Sequence, residues 1–177
     1  LHVFPAPSDA ADLVRHLDSS LEAVEEILAA LLDISRLDAG ALKPEITSFR
    51  IDDLLGALAV EFAPAAREKG IALRLVGSGL IVRSDRKLLR RVLQNLVSNA
   101  VKYTPRGKVL MGCRRRGDRL RIDVCDTGIG IPRSKLRAVF REFERLGQEG
   151  APEPGLGLGL SIVERVVRML DHGIDLR

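Results

Sequence analysis

The chain has 177 residues, room for one ordinary domain plus an appendage, and 46% hydrophobic with 29% charged residues suits a folded protein with a buried core. Aromatics make up 3% with no Trp, and the net charge of +4 comes from scattered Arg, so the core is aliphatic and nothing requires a nucleic acid as partner. No run approaches the roughly 18 apolar residues of a membrane span and no signal peptide opens the chain, which reads as soluble and cytoplasmic with no membrane contact of its own.

Residues 8 to about 39 read as a helix with a heptad-like seam of Leu17, Leu21, Val24, Leu28, Leu31 and Ser35, widened by Ile27 and Ile34. Gly40 can cap it and Pro44 blocks its continuation. A stripe this apolar on a lone helix needs a partner, so residues 1–45 read as part of a helical hairpin or bundle ahead of a main domain at 46–177. A short strand at Thr47–Ile51 leads to a helix from Asp52 or Asp53 to about Lys69, stopped by Gly70. Ile71–Val76 and Leu80–Arg83 read as strands joined by Gly77-Ser78-Gly79, and Ser84 or Asp85 can N-cap the next helix. Lys108–Arg115 and Arg119–Asp126 form a hairpin around Gly117-Asp118, and a last helix runs from Leu158 to about Leu170 after a polar stretch at 147–154. Hairpins among intermixed helices predict an α+β sandwich, a mixed sheet covered by helices on one face. Cys113 and Cys125 fall in the strands and read as reduced, buried thiols.

Three segments carry chemistry. In Arg91-Val-Leu-Gln-Asn-Leu-Val-Ser-Asn-Ala-Val-Lys-Tyr-Thr-Pro105, Asn95, Asn99, Lys102 and Tyr103 share one helical face beside an apolar stripe of Leu89, Val92, Leu93, Leu96, Val97 and Ala100. Amide oxygens suit Mg²⁺ and a lysine can reach phosphates, although a solvated face would look the same. In Asp126-Thr-Gly-Ile-Gly-Ile-Pro132, Asp126 falls in phase with the inward-facing Leu120, Ile122 and Val124. A carboxylate there wants a donor such as an adenine amine, with Gly128 and Gly130 admitting a flat base; a capping Asp before a Gly turn is the plainer reading. Pro154-Gly-Leu-Gly-Leu-Gly-Leu-Ser161 opens the last helix, where Gly155, Gly157 and Gly159 can present N–H groups to phosphates. It follows a loop rather than a strand and lacks Gly-Lys-Ser/Thr, so it is neither a Rossmann nor a Walker A loop.

In this order the segments resemble the N, G1 and G2 boxes of the histidine-kinase branch of the Bergerat-fold ATPases. Phe140-Arg-Glu-Phe143 resembles the F box, and Leu31 to Gly40 the end of the second dimerisation helix. The resemblance implies a Bergerat-type α/β sandwich preceded by a helix of the dimerisation bundle, with ATP and Mg²⁺ as cofactors. It implies that Asn99 is the principal Mg²⁺ ligand with Asn95 assisting, that Lys102 lies on the phosphate side, and that Tyr103 packs against the nucleotide. Asp126 would hold the adenine amine, with Gly128 and Gly130 shaping that wall. Residues 133–154 would form a lid, Arg145 would reach the terminal phosphates, and Gly155, Gly157, Leu158 and Gly159 would close the site. Related hydrolases carry a glutamate where this chain has Asn95. An amide cannot serve as a general base, which favours transfer over hydrolysis.

The implied function is transfer of the ATP γ-phosphate to a histidine and on to an aspartate of a response-regulator receiver domain, within a homodimer formed through the helical region. None of His2, His16 and His172 sits in an acceptor motif, so the fragment is expected to bind ATP without phosphorylating itself. Leu1 looks like the residue just after that motif, the family adds a final strand beyond Arg177, and residue 156 is Leu where Thr is common. A regulatory nucleotide-binding module and a serine kinase of the same superfamily are the alternatives.

Overall fold

The computed structural model describes residues 43–136, 138–141 and 157–177, together with Leu13, Val14, Leu17, Leu21 and Leu28 near the N-terminus. The chain divides into two compact units, Leu1–Ala41 and Leu42–Arg177. In the first unit all five described residues are helical and exposed. Leu17, Leu21 and Leu28, spaced by four and seven, lie on one stripe. The remainder of the expected seam lies outside the described residues.

The second unit opens with β1 (Ile46–Arg50) and α1 (Ile51–Glu68), followed by β2 (Ile71–Val76), β3 (Ile81–Asp85) and α2 (Arg86–Lys102). The hairpin of β4 (Gly107–Arg116) and β5 (Arg119–Asp126) comes next, then 3₁₀ turns at Arg133–Lys135 and Ala138–Phe140, and finally α3 (Gly159–Met169). β2 and β3, consecutive in sequence, belong to different sheets. β3 pairs antiparallel with β1, whereas β2 runs parallel to β4, which pairs antiparallel with β5. The expected mixed sheet is β2–β4–β5, with a separate β1–β3 pair beside it among the described residues, and the crossover that the parallel β2–β4 pair needs is supplied by β3 and α2.

The core lies between the helices and the β2–β4–β5 sheet. Leu54, Leu55 and Leu58 of α1 and Leu89, Leu93 and Val97 of α2 meet Val109 and Met111 of β4 there. In α2 the buried positions Leu89, Val92, Leu93, Val97, Ala100 and Val101 recur at helical spacing, leaving Asn95 and Asn99 half-buried on the border of the stripe. Asp85, the second of the two capping candidates, closes the start of this helix. Its Oδ1 accepts from Lys87 N at 2.9 Å and Leu88 N at 3.0 Å, and its Oδ2 from Glu45 N at 2.7 Å. Ser84, fully buried, hydrogen-bonds His172 across 2.9 Å and so ties down the segment after α3.

Asp52 does not cap α1, which begins at Ile51 without a side-chain cap. Its carboxylate instead clamps the loop between the sheets, accepting from Gly79 N at 2.8 Å, Ser78 N at 3.0 Å and the Ser78 hydroxyl at 3.0 Å. The Gly79 N–H above all, then the Ser78 donors, hold this carboxyl below its ordinary value of 3.8. A depressed folded-state value contributes stability above the unfolded-chain pKa and loses it as the pH falls through the folded one. The stability gap between wild type and Asp52→Asn, followed by thermal melts, should therefore be open at neutral pH and close below about pH 4. A gap that persists unchanged at low pH would refute the clamp.

Both cysteines lie in strands, but only Cys113 is buried, and burial raises its thiol pKa; Cys125 is exposed. The expectation of two buried thiols is corrected at Cys125. It belongs to the alternate set of β5 residues, out of phase with the core-facing Leu120, Ile122 and Val124. Among the described residues no helix is long and apolar enough to cross a membrane.

Candidate functional site

The polar border of α2 carries Asn95, Asn99 and Lys102, all half-buried, with Tyr103 just past the helix end and 41% exposed. The Asn95 Nδ2 donates to Arg91 O at 2.9 Å, which fixes the amide and leaves Oδ1 directed away from its own helix backbone. That oxygen meets the first residue of α3. A Cβ placed on Gly159 would lie 2.6 Å from it, so a larger residue would require the Asn95 side chain to shift. The Tyr103 N–H donates to Asn99 O at 2.9 Å and closes α2, and the Lys102 ammonium stands 5.8 Å from the Tyr103 ring centroid. Lys69 Nζ donates to Lys102 O at 3.4 Å, buttressing the same corner.

The turn after β5 is tied to that corner. Leu120, Ile122 and Val124 pack against the core as their alternation predicts, and Asp126 follows opposite Val109. Asp126 is exposed rather than buried, because the strand ends at the rim of the sheet. The desolvation expected of an inward carboxylate is therefore largely avoided. Its Oδ1 accepts from Gly128 N at 2.8 Å, and Ile129 N donates to Tyr103 O at 3.2 Å. A Cβ on Gly128 would lie 2.4 Å from Tyr103 O, 2.9 Å from Asp126 Oδ1 and 3.0 Å from Thr104 Oγ1, so the turn closes only on a residue without a side chain. Gly130 takes φ +69°, a left-handed conformation that favours glycine.

Leu158 is buried, and its carbonyl accepts from the Ser161 hydroxyl at 2.8 Å and Ile162 N at 3.1 Å, so its side chain serves the core while its backbone opens α3. Gly157 has φ +70°. Phe140 is half-buried in a 3₁₀ turn that packs against α3. Arg145, Gly155, Phe143 and most of the expected lid lie outside the described residues. Two contributors escape a reading of the sequence. Lys69 sits at the end of α1, far along the chain. Thr104, between Tyr103 and Pro105, carries only the signature of a turn residue. An apolar groove between α1 and β2 is lined by Val60, Ala63, Ala66, Arg67, Ile71 and Leu73, none of them a residue singled out from the sequence for the site.

Among the described residues no group of three His, Cys, Asp or Glu side chains could hold a metal. The side-chain oxygen donors on the face of α2 that carries Lys102 are amides. Asn95 Oδ1, oriented by its own Nδ2 bond, and Asn99 one turn on are hard donors of the kind that suits Mg²⁺, which takes few protein ligands and fills its shell with waters and phosphates. The residues present fit that ion.

An α/β sandwich whose asparagine-bearing helix faces one glycine turn with a carboxylate and a second glycine turn opening a helix defines a nucleotide-binding ATPase domain. The chain belongs to the histidine kinase-, DNA gyrase B- and HSP90-like ATPase family, whose profile matches residues 84–177, just over half of it. It is 33% identical over 173 residues to the alginate biosynthesis sensor protein KinB of Pseudomonas aeruginosa, covering 96% of this chain and 28% of KinB. To the virulence sensor protein BvgS of Bordetella pertussis it is 36% identical over 170 residues, covering 89% of this chain and 14% of BvgS. Among solved structures it resembles full-length ShkA in complex with AMPPNP, with a TM-score of 0.79, 30% identity, and coverage of 95% of this chain and 35% of ShkA. The fold is the Bergerat α/β sandwich, and the likeness is to the catalytic ATP-binding domain of sensor histidine kinases. The chain spans less than a third of the length of these curated relatives.

Proposed function

We propose that this chain is the ATP-binding catalytic part of a two-component sensor histidine kinase, which presents the γ-phosphate of ATP to a histidine for onward transfer to a response-regulator aspartate. The carrying observation is convergence. The Asp126 turn is bonded to Tyr103 at one end of the polar border of α2, and Gly159 approaches Asn95 about two turns away along the same border. A base bound at one end and phosphates at the other would match the reach of a nucleotide.

In this reading the second oxygen of Asp126 accepts from the adenine amine, Gly128 and Gly130 form the wall behind the base, and Tyr103 packs on the nucleotide. Asn99 and Asn95 would hold Mg²⁺, which when bound neutralises phosphate charge. Lys102 and Arg145 act on the phosphates, and Gly155, Gly157 and Gly159 offer backbone N–H groups at the start of α3. Catalysis is then orientation and charge stabilisation, and the neutral Asn95 withholds the base that hydrolysis would need. The exposed Leu13, Leu17, Leu21 and Leu28 support a homodimer built through the N-terminal helical region, and the setting is cytoplasmic.

Calorimetric titration with AMPPNP tests the reading. Binding to wild type that strengthens with Mg²⁺ and is lost in Asp126→Asn is the expected result. Radiolabel from γ-labelled ATP should then pass to a separate protein carrying an acceptor-histidine helix. A folded wild-type chain that binds no nucleotide would sink the proposal.

A further inference from the structure

Thr104 is fully buried, and its hydroxyl oxygen has no hydrogen-bond partner. A buried hydroxyl normally finds a partner, and leaving one without it is destabilising, so the position calls for an explanation. The oxygen is not pointed into hydrocarbon. It faces the α-carbon of Gly128, where a Cβ would lie 3.0 Å from it and 2.9 Å from Asp126 Oδ1. Hydroxyl and carboxylate thus border the same small space beside Gly128. The surrounding backbone is already committed, with Tyr103 O accepting from Ile129 N and Asp126 Oδ1 from Gly128 N.

We infer that Thr104 is a positioning residue for base recognition, its hydroxyl donating to the Asp126 carboxylate, directly or through one water, when a nucleotide base settles on the Gly128 turn. The inference rests on the reading of Asp126 as acceptor of the adenine amine and adds the group that orients it. One carboxylate oxygen is then held by Gly128 N and Thr104, and the other is aimed at the exocyclic amine. Held by Gly128 N alone, an exposed carboxylate at a strand end can still pivot about that one bond, and a pivoting acceptor discriminates poorly between bases. A hydroxyl with no other partner, fixed by complete burial, supplies the missing restraint at no loss to the core.

The test compares ATP with purine riboside triphosphate, which lacks the 6-amino group, in wild type, Thr104→Val and Thr104→Ser. Wild type should prefer ATP. Thr104→Val, nearly isosteric, should weaken ATP about tenfold, as expected for one hydrogen bond to a charged group, and leave the analogue unchanged. Thr104→Ser, which keeps the hydroxyl, should bind ATP like wild type. Equal weakening of both nucleotides, or no weakening of ATP, would overturn the inference and leave Thr104 a packing residue. Wild type that binds both nucleotides equally would overturn the Asp126 reading itself, and this inference with it.

Discussion

Asn99→Ala should lower affinity for ATP by at least about a hundredfold in the presence of Mg²⁺, since even indirect supports of a metal ligand carry ten- to hundredfold effects. Asn99 lies half-buried in the last turn of α2, where its backbone carbonyl closes the helix by accepting from Tyr103 N. Alanine keeps that carbonyl and has the higher helix propensity, so the melting temperature should hold or rise slightly. The informative comparison is with EDTA present. Without the metal, wild type and variant should bind AMPPNP alike, and calorimetry in both conditions reads the difference directly. An equal loss with and without Mg²⁺ would remove Asn99 from the metal site and make it a contact to the nucleotide itself.

Gly128→Ala is the second large effect. The methyl group would have to occupy a point 2.4 Å from Tyr103 O, a backbone atom that cannot rotate away, while crowding Asp126 Oδ1 and Thr104 Oγ1. The turn must therefore lift, breaking the Ile129–Tyr103 bond and carrying Asp126 with it. A stability loss of about 1–3 kcal/mol is expected from the forced shift. Loss of a charge-assisted bond to the base should weaken ATP binding by at least about tenfold. Thermal melts and calorimetry on one preparation separate the two effects. An alanine variant that melts and binds like wild type would show that the turn is slack and the close approach unimportant.

Local chemistry made much of this legible. The alternation of Leu120, Ile122 and Val124 gives the inward face of β5, Gly117-Asp118 gives the hairpin, and the apolar spacing of α2 leaves the asparagines on its border. What escaped depends on contacts between distant segments. The separation of β2 and β3 into different sheets follows from pairing β2 with β4, more than thirty residues on, and from Asp52 gripping the loop between them. The exposure of Asp126 follows from where the sheet ends, which alternation cannot say. Thr104 and Lys69 join the corner only because the end of α2 meets the β5 turn and the end of α1. The roles of Asn95, Asn99 and Asp126 rest on family likeness, with the geometry consistent with it.

The contact between Asn95 and Gly159 bears on the two chemistries in this family. The first N–H groups of α3 have no partners within their helix, and the neutral Asn95 amide lies beside the first residue of that helix. A glutamate at position 95 would be one methylene longer and negatively charged. At this distance it would be drawn into the helix start, competing with phosphates for the same donors. Changing Asn95 to glutamate would therefore act on the start of α3 as well as on the chemistry at position 95.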